Sequence, residues 1–239
     1  MAPIELINVS HRFGDSIVLE NISVAFEQYK ITGIIGRSGS GKSTLLQVIN
    51  ALIKPSEGHV LFYDKLVHHL NPYEMRQKMG YVVQGIGLFP HLTVEENILL
   101  NSRITKKLPD PLRVDTLMKM VSLPASFKKK YPFELSGGEQ QRVGICRALF
   151  NNPPVLLMDE PFGALDSITR YEIQQEVLQL QKAEPRTILF VTHDIKEAAR
   201  MADSLLVIEG GKIQQFDKKE KVFETPSNES VRKLIETSA

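Results

Sequence analysis

With 239 residues, 42% of them hydrophobic, the chain can bury a substantial core as one large domain. Its 29 lysines and arginines nearly balance 28 acidic residues, which excludes a surplus field that would draw the whole molecule to nucleic acid or an anionic membrane. The single cysteine, Cys146, excludes an internal disulfide, and no run approaches the roughly 18 apolar residues that a membrane span requires.

The opening stretch, MAPIELINVSHRF, lacks the basic region and apolar run of an export signal, so a cytosolic location is expected. Its IELINVS and the later IVLENISVAF alternate as strands do and predict an antiparallel β layer. KITGIIG reads as a buried strand that runs into a glycine-rich turn and then a helix, KSTLLQVINAL, which is an α/β nucleotide-site pattern. Between about Tyr73 and Leu149 helices dominate: PYEMRQKM, TVEENILL and PLRVDTLMKMV, interrupted by the short β run GYVVQ. From PVLLMDE onward the classes alternate again, with a helix at SITRYEIQQEVLQLQKA, a strand at RTILFVTH, a helix at IKEAARMA and a hairpin at SLLVIEGGKIQQF. The expectation is an α/β fold in one domain, 1–239: a parallel core, an antiparallel β layer and a helical insertion at about 86–150.

Gly36, Arg37, Ser38, Gly39, Ser40, Gly41, Lys42, Ser43 and Thr44 fit the phosphate-loop pattern G-x-x-x-x-G-K-S/T, between an apparent strand and an apparent helix. Glycines there let backbone N–H groups wrap phosphates; Lys42 would reach the β- and γ-phosphates, and Ser43 would offer its hydroxyl to Mg²⁺. PVLLMDE places Asp159 at the carboxyl end of an apolar strand, where α/β sheets bind ligands. This makes Asp159 the candidate Mg²⁺-side carboxylate and Glu160 the candidate general base. His193 ends another apolar strand at the same edge of the inferred sheet, within reach of a γ-phosphate. The amide of Gln84, after GYVV, can meet Mg²⁺ or water at the entry to the helical stretch. In ELSGGEQQR, Ser136 and Glu139 form a capping box. That box leaves Gly137 and Gly138 unexplained, because glycines cost conformational entropy unless something must come close; a helix start bared in this way suits an anion.

Together these residues resemble the ATP-binding subunits of ABC transporters over nearly the whole chain. GRSGSGKST resembles the Walker A loop, VLLMDE the Walker B strand, Gln84 the Q-loop, Ala164 to Asp166 the D-loop and His193 the switch histidine, while LSGGEQQR matches the family signature. The resemblance implies a P-loop NTPase (RecA-like) core and ATP with Mg²⁺ as cofactors. It also implies an ATP-dependent head-to-tail homodimer, in which Ser136, Gly137, Gly138, Glu139 and Asp166 meet the nucleotide held by the other copy. Phe13 matches the aromatic that stacks on adenine, with a core phenylalanine as the alternative. Implied partners are integral membrane permease subunits, indirectly a solute-binding protein, and no nucleic acid; the implied location is peripheral, on the cytoplasmic face of the membrane. Gly85 to Asn97, with Leu88 and Phe89, is the candidate dock for the permease.

The loops VVQGIGLFPHLTVEENI and FETPSNESVRKLI are most similar to importers of osmoprotectants such as glycine betaine, choline or carnitine. A polar amino-acid importer and a non-transport ABC ATPase remain alternatives. Cys146 lies in an apolar rhythm and reads as a core thiol, Lys128 to Lys130 as a solvated face, and His68 and His69 as surface residues without a third metal ligand at suitable spacing.

Overall fold

A computed structural model describes residues 2–85, 87–104 and 110–236. In chain order its elements are β1 (Ile4–Phe13), β2 (Ser16–Phe26), β3 (Ile31–Ile35), α1 (Lys42–Ile49), β4 (Glu57–Phe62), β5 (Lys65–Leu66), α2 (Pro72–Gln77) and β6 (Met79–Val82). There follow α3 (Val94–Ile104), α4 (Pro111–Met120), α5 (Gly137–Leu149), β7 (Val155–Asp159) and α6 (Ser167–Ala183). The last part holds β8 (Thr187–Thr192), α7 (Ile195–Met201), β9 (Ser204–Glu209), β10 (Lys212–Lys218), α8 (Lys219–Glu224) and α9 (Glu229–Glu236). Two compact units emerge: Met1–Arg76 with Thr187–Ala239, and Gln77–Arg186.

In the first unit β1 and β2 form an antiparallel hairpin, closed where Gly14 takes a φ of 58° that glycine adopts without steric cost. β4 pairs with the other edge of β1 and β5 extends the layer, so β1 is a central strand. The inward side chains of this layer, Ile4, Leu6, Val9, Leu19, Ile22 and Phe26, are buried. In the same unit β3 lies between β8 and β9, parallel to both, and β10 closes that edge antiparallel to β9. Every residue of β3 and β8 is buried, as expected of parallel strands covered on both faces, whose sequences run apolar rather than alternating.

The second unit contains the parallel pair β6 and β7, in register from Met79 opposite Val155 to Val82 opposite Met158. Among the described residues its longest helices are α6 and α5. The buried face of α5 carries Val143, Ile145, Cys146, Ala148 and Leu149, so Cys146 is a core thiol, its pKa raised by burial. Two details differ from the sequence expectation. The helix expected over PYEMRQKM stops at Gln77, because Met79 enters the β6 ladder. EGHVLF forms β4, a strand hidden in the sequence because Gly58 and two polar residues interrupt its apolar run.

Candidate active site

In the first unit the phosphate loop leaves the carboxyl end of β3 and enters α1. Two of its glycines are required by geometry. Gly36 has a φ of 155°, and a Cβ there would lie 2.0 Å from the Ile208 carbonyl oxygen. Gly41 has a φ of 101°, and its Cβ would lie 2.6 Å from the Val18 carbonyl oxygen. The loop is therefore pressed against β9 on one side and β2 on the other. Arg37, Ser38 and Gly39 are exposed, Ser40, Gly41 and Lys42 buried, and Ser43 and Thr44 half-buried. Lys42 is only 5% exposed, and its ammonium donates to the carbonyls of Gly36 and Arg37, at 2.8 Å each. The ammonium is thus curled inside the loop rather than extended into water.

The residues of the loop fit a triphosphate. α1 has Gly41 as its N-cap, with no side-chain cap and no acidic residue in its first turn, so its N-cap residue leaves the first N–H groups open to an anion. The Ser40 hydroxyl oxygen is buried, with no hydrogen-bond partner among the described residues. Phe13, at the end of β1, is 53% exposed, as a stacking platform must be, so the core reading does not hold for it. His193 is exposed at the end of β8, just ahead of Asp194, which caps α7 through the N–H groups of Lys196 and Glu197.

In the second unit β7 is buried throughout and delivers Asp159, 4% exposed, at its carboxyl end. Burial first, and then the neighbouring Asp159 charge, push the Tyr81 phenol up to about 12, so it stays protonated. Glu160 follows with a φ of 43°, a left-handed conformation that non-glycine residues rarely take. Its Oε2 accepts a hydrogen bond from Nε2 of Gln84 at 3.3 Å. Two of the predicted residues, 76 positions apart, thus meet. Ser43 in the first unit, and Gln84 and Asp159 in the second, each carry a hard oxygen of the type that Mg²⁺ prefers. Among the described residues no group of three or more histidine, cysteine or acidic side chains could hold a metal ion. That is compatible with Mg²⁺, which takes one or two protein carboxylates and completes its shell with phosphate and water.

The signature motif forms the start of α5. Ser136 is its N-cap: Ser136 Oγ accepts from the Glu139 N–H at 3.3 Å, and Glu139 Oε2 accepts from the Ser136 N–H at 2.7 Å. Ser136 and Gly137 are exposed, while a Cβ on Gly138 would lie 2.3 Å from Thr169 Cγ2 of α6. Asp166 caps α6, accepting from the N–H groups of Ile168 and Thr169 at 3.1 and 3.0 Å; the Thr169 bond contributes most to holding its carboxyl below the usual range. Farther along, Arg142 bridges α5 to Glu176 and Glu172 of α6, at 3.1 and 3.2 Å. The sequence reading missed this bridge, whose only local trace is the pair Glu172 and Glu176 one helical turn apart.

Asn97 was missed as well. Fully buried, it accepts from the Phe89 N–H at 2.8 Å and donates to the carbonyls of Phe89, Leu92 and Thr93, fixing the turn that carries the candidate dock. Leu88 in that turn is half-buried and Phe89 is 43% exposed. Ile86, also part of the candidate dock, lies outside the described residues. Lys128 pairs with Asp115 at 2.7 Å, and Lys130 lies over the Phe127 ring. His68 and His69 are exposed, and the ring of His59 on β4 joins them.

The family model described as "ABC transporter" matches residues 19–163, from β2 through Walker B. The chain belongs to the ABC transporter family. This ABC chain is 42% identical over 224 residues to the carnitine transport ATP-binding protein OpuCA of Listeria monocytogenes, a match covering 93% of the chain and 56% of that protein. It is 41% identical over 236 residues to the glycine betaine uptake system ATP-binding protein YehX of Escherichia coli, covering 97% of the chain and 76% of that protein. The chain therefore spans little more than half the length of the OpuCA relative. Among solved structures it is similar to the dimeric post-hydrolysis state of the ATP-binding cassette MJ0796 bound to ADP and Pi, with a TM-score of 0.81 and 34% identity, over 90% of this chain and 98% of that one. The α/β fold with its phosphate loop is the fold of that cassette.

Proposed function

We propose that this chain is the ATP-hydrolysing subunit of an importer for small solutes, with quaternary-amine osmoprotectants as the cargo. The observation that carries the ATPase reading is the phosphate loop. Its two sterically enforced glycines, its buried lysine, a serine hydroxyl with no partner among the described residues and a helix start without a side-chain cap make an anion cradle. The cargo reading rests on the names of the relatives, which are carnitine and glycine betaine transport proteins. We take 1–239 as one ATP-binding domain with its helical insertion at about 86–150.

In this reading Gly36 to Thr44 hold the triphosphate, and Lys42 leaves the two loop carbonyls for the β- and γ-phosphate oxygens. Ser43, Gln84 and Asp159 would hold Mg²⁺, which when bound neutralises charge on the phosphate oxygens. Glu160 orients and deprotonates the attacking water, Gln84 holds the Glu160 carboxylate, and His193 donates to the γ-phosphate. Phe13 stacks on adenine. Ser136, Gly137, Gly138, Glu139 and Asp166 contact nucleotide held by a second copy, and this ATP-dependent homodimer works against permease subunits at the cytoplasmic face of the membrane. A solute-binding protein supplies those subunits with cargo. The dimer reading is supported by the dimeric cassette relative, the permease by the transport names.

Replacing Glu160 with Gln tests the chemistry. Steady-state ATP turnover should fall at least about a hundredfold, with ATP affinity retained, because a general base is lost while the cradle is untouched. Near-normal turnover would reject the assignment. Competing labelled glycine betaine uptake with polar amino acids, in cells carrying the chain and its permease, tests the cargo; displacement by the amino acids alone would favour the alternative importer.

A further inference from the structure

His11 is 7% exposed, inside the antiparallel layer of the first unit, and neither ring nitrogen has a hydrogen-bond partner among the described residues. A buried polar ring left unsatisfied lowers stability, and an apolar side chain of similar size would avoid that cost, so its presence calls for an explanation. Two further observations supply one. The imidazole and the Phe13 ring form a T-shaped pair, with centroids 4.7 Å apart and planes at 83°, the arrangement that aromatic quadrupoles favour. In the ladder, His11 stands opposite Leu19 of β2, and Leu19 Cδ2 would lie 2.9 Å from a Cβ on Gly41 of the phosphate loop. Phe13 at the strand end would otherwise be a half-exposed ring free to change rotamer.

We propose that His11 is a positioning residue for the nucleobase: its T-shaped contact fixes the plane of Phe13, and its cross-strand neighbour Leu19 sets the spacing of that platform from the phosphate loop. The inference rests on the reading of Phe13 as the adenine platform. It assigns to His11 the base-dependent part of nucleotide affinity, and none of the phosphate-dependent part.

The experiment measures, on purified full-length protein, affinity for ATP and for inorganic tripolyphosphate, together with the KM and kcat of hydrolysis. His11→Ala should weaken ATP binding and raise KM about three- to tenfold, the range expected from losing an oriented aromatic contact, with tripolyphosphate affinity and kcat changed less than twofold. His11→Phe, which keeps an aromatic ring for the T-shaped contact, should recover ATP affinity to within twofold. On a Phe13→Ala background His11→Ala should add nothing, since no platform remains to be held. Should His11→Ala fold poorly, His11→Leu fills the site, and the same split between ATP and tripolyphosphate is predicted. Unchanged ATP affinity, an equal loss for tripolyphosphate, or additivity with Phe13→Ala would each overturn the proposal. Failure of the underlying reading has a different signature: Phe13→Ala alone would then leave ATP affinity intact.

Discussion

At Glu160 the φ of 43° puts Cβ close to the following carbonyl oxygen, a conformation that costs an L residue roughly 1–2 kcal/mol. Such strain persists where the surroundings enforce it and function selects it, and here it aims the carboxylate at Gln84. Glycine at this position would relieve the crowding while losing about 0.5–1 kcal/mol of chain entropy. We therefore expect Glu160→Gly to be more stable than Glu160→Gln by about 0.5–1 kcal/mol in urea unfolding, with both variants inactive. Equal midpoints would mean that the backbone conformation is unstrained. The sequence shows that an acid follows Asp159 but not that its backbone is left-handed, since that depends on the buried strand before it and the turn after it. The meeting of Gln84 with Glu160 was equally hidden, because it joins segments far apart in the chain. His11 illustrates the same limit: with register shifts on both sides of it in β1, simple alternation cannot say that this histidine faces inward.

At the scale of elements, the N-termini of α5 and α6 carry Ser136 and Asp166 as their caps, and the helices touch where Gly138 meets Thr169. Alanine at 138 would set its Cβ 2.3 Å from Thr169 Cγ2, so Gly138→Ala should destabilise the protein by about 1–3 kcal/mol through overpacking. Thr169→Ser removes that methyl and should restore more than half of the loss in chemical denaturation. If the second change restores nothing, the glycine is present for another reason. The elements most legible in the sequence were those fixed by local rules: the mostly apolar runs of β7 and β8, the capping box at Ser136 and the spacing of the phosphate loop. Those decided by pairing were less legible, since Met79 looks helical until Val155 is opposite it, and β4 has no clear period of its own.

In the proposed mechanism two copies of the whole molecule share each nucleotide, as the dimeric cassette relative supports. Near-balanced charge sets up no long-range repulsion between these copies, and in the proposed mechanism the shared phosphates join them, so association should follow ATP rather than precede it. Ser136 and Gly137 are exposed on one copy, with no role in that copy's core beyond the Ser136 cap. Sedimentation velocity of the Glu160→Gln variant with ATP and Mg²⁺ tests this most directly. The expected result is a dimer with ATP, a monomer without it, and a monomer that still binds ATP when Ser136→Arg is added. A monomer at saturating ATP, or a dimer indifferent to Ser136→Arg, would contradict it.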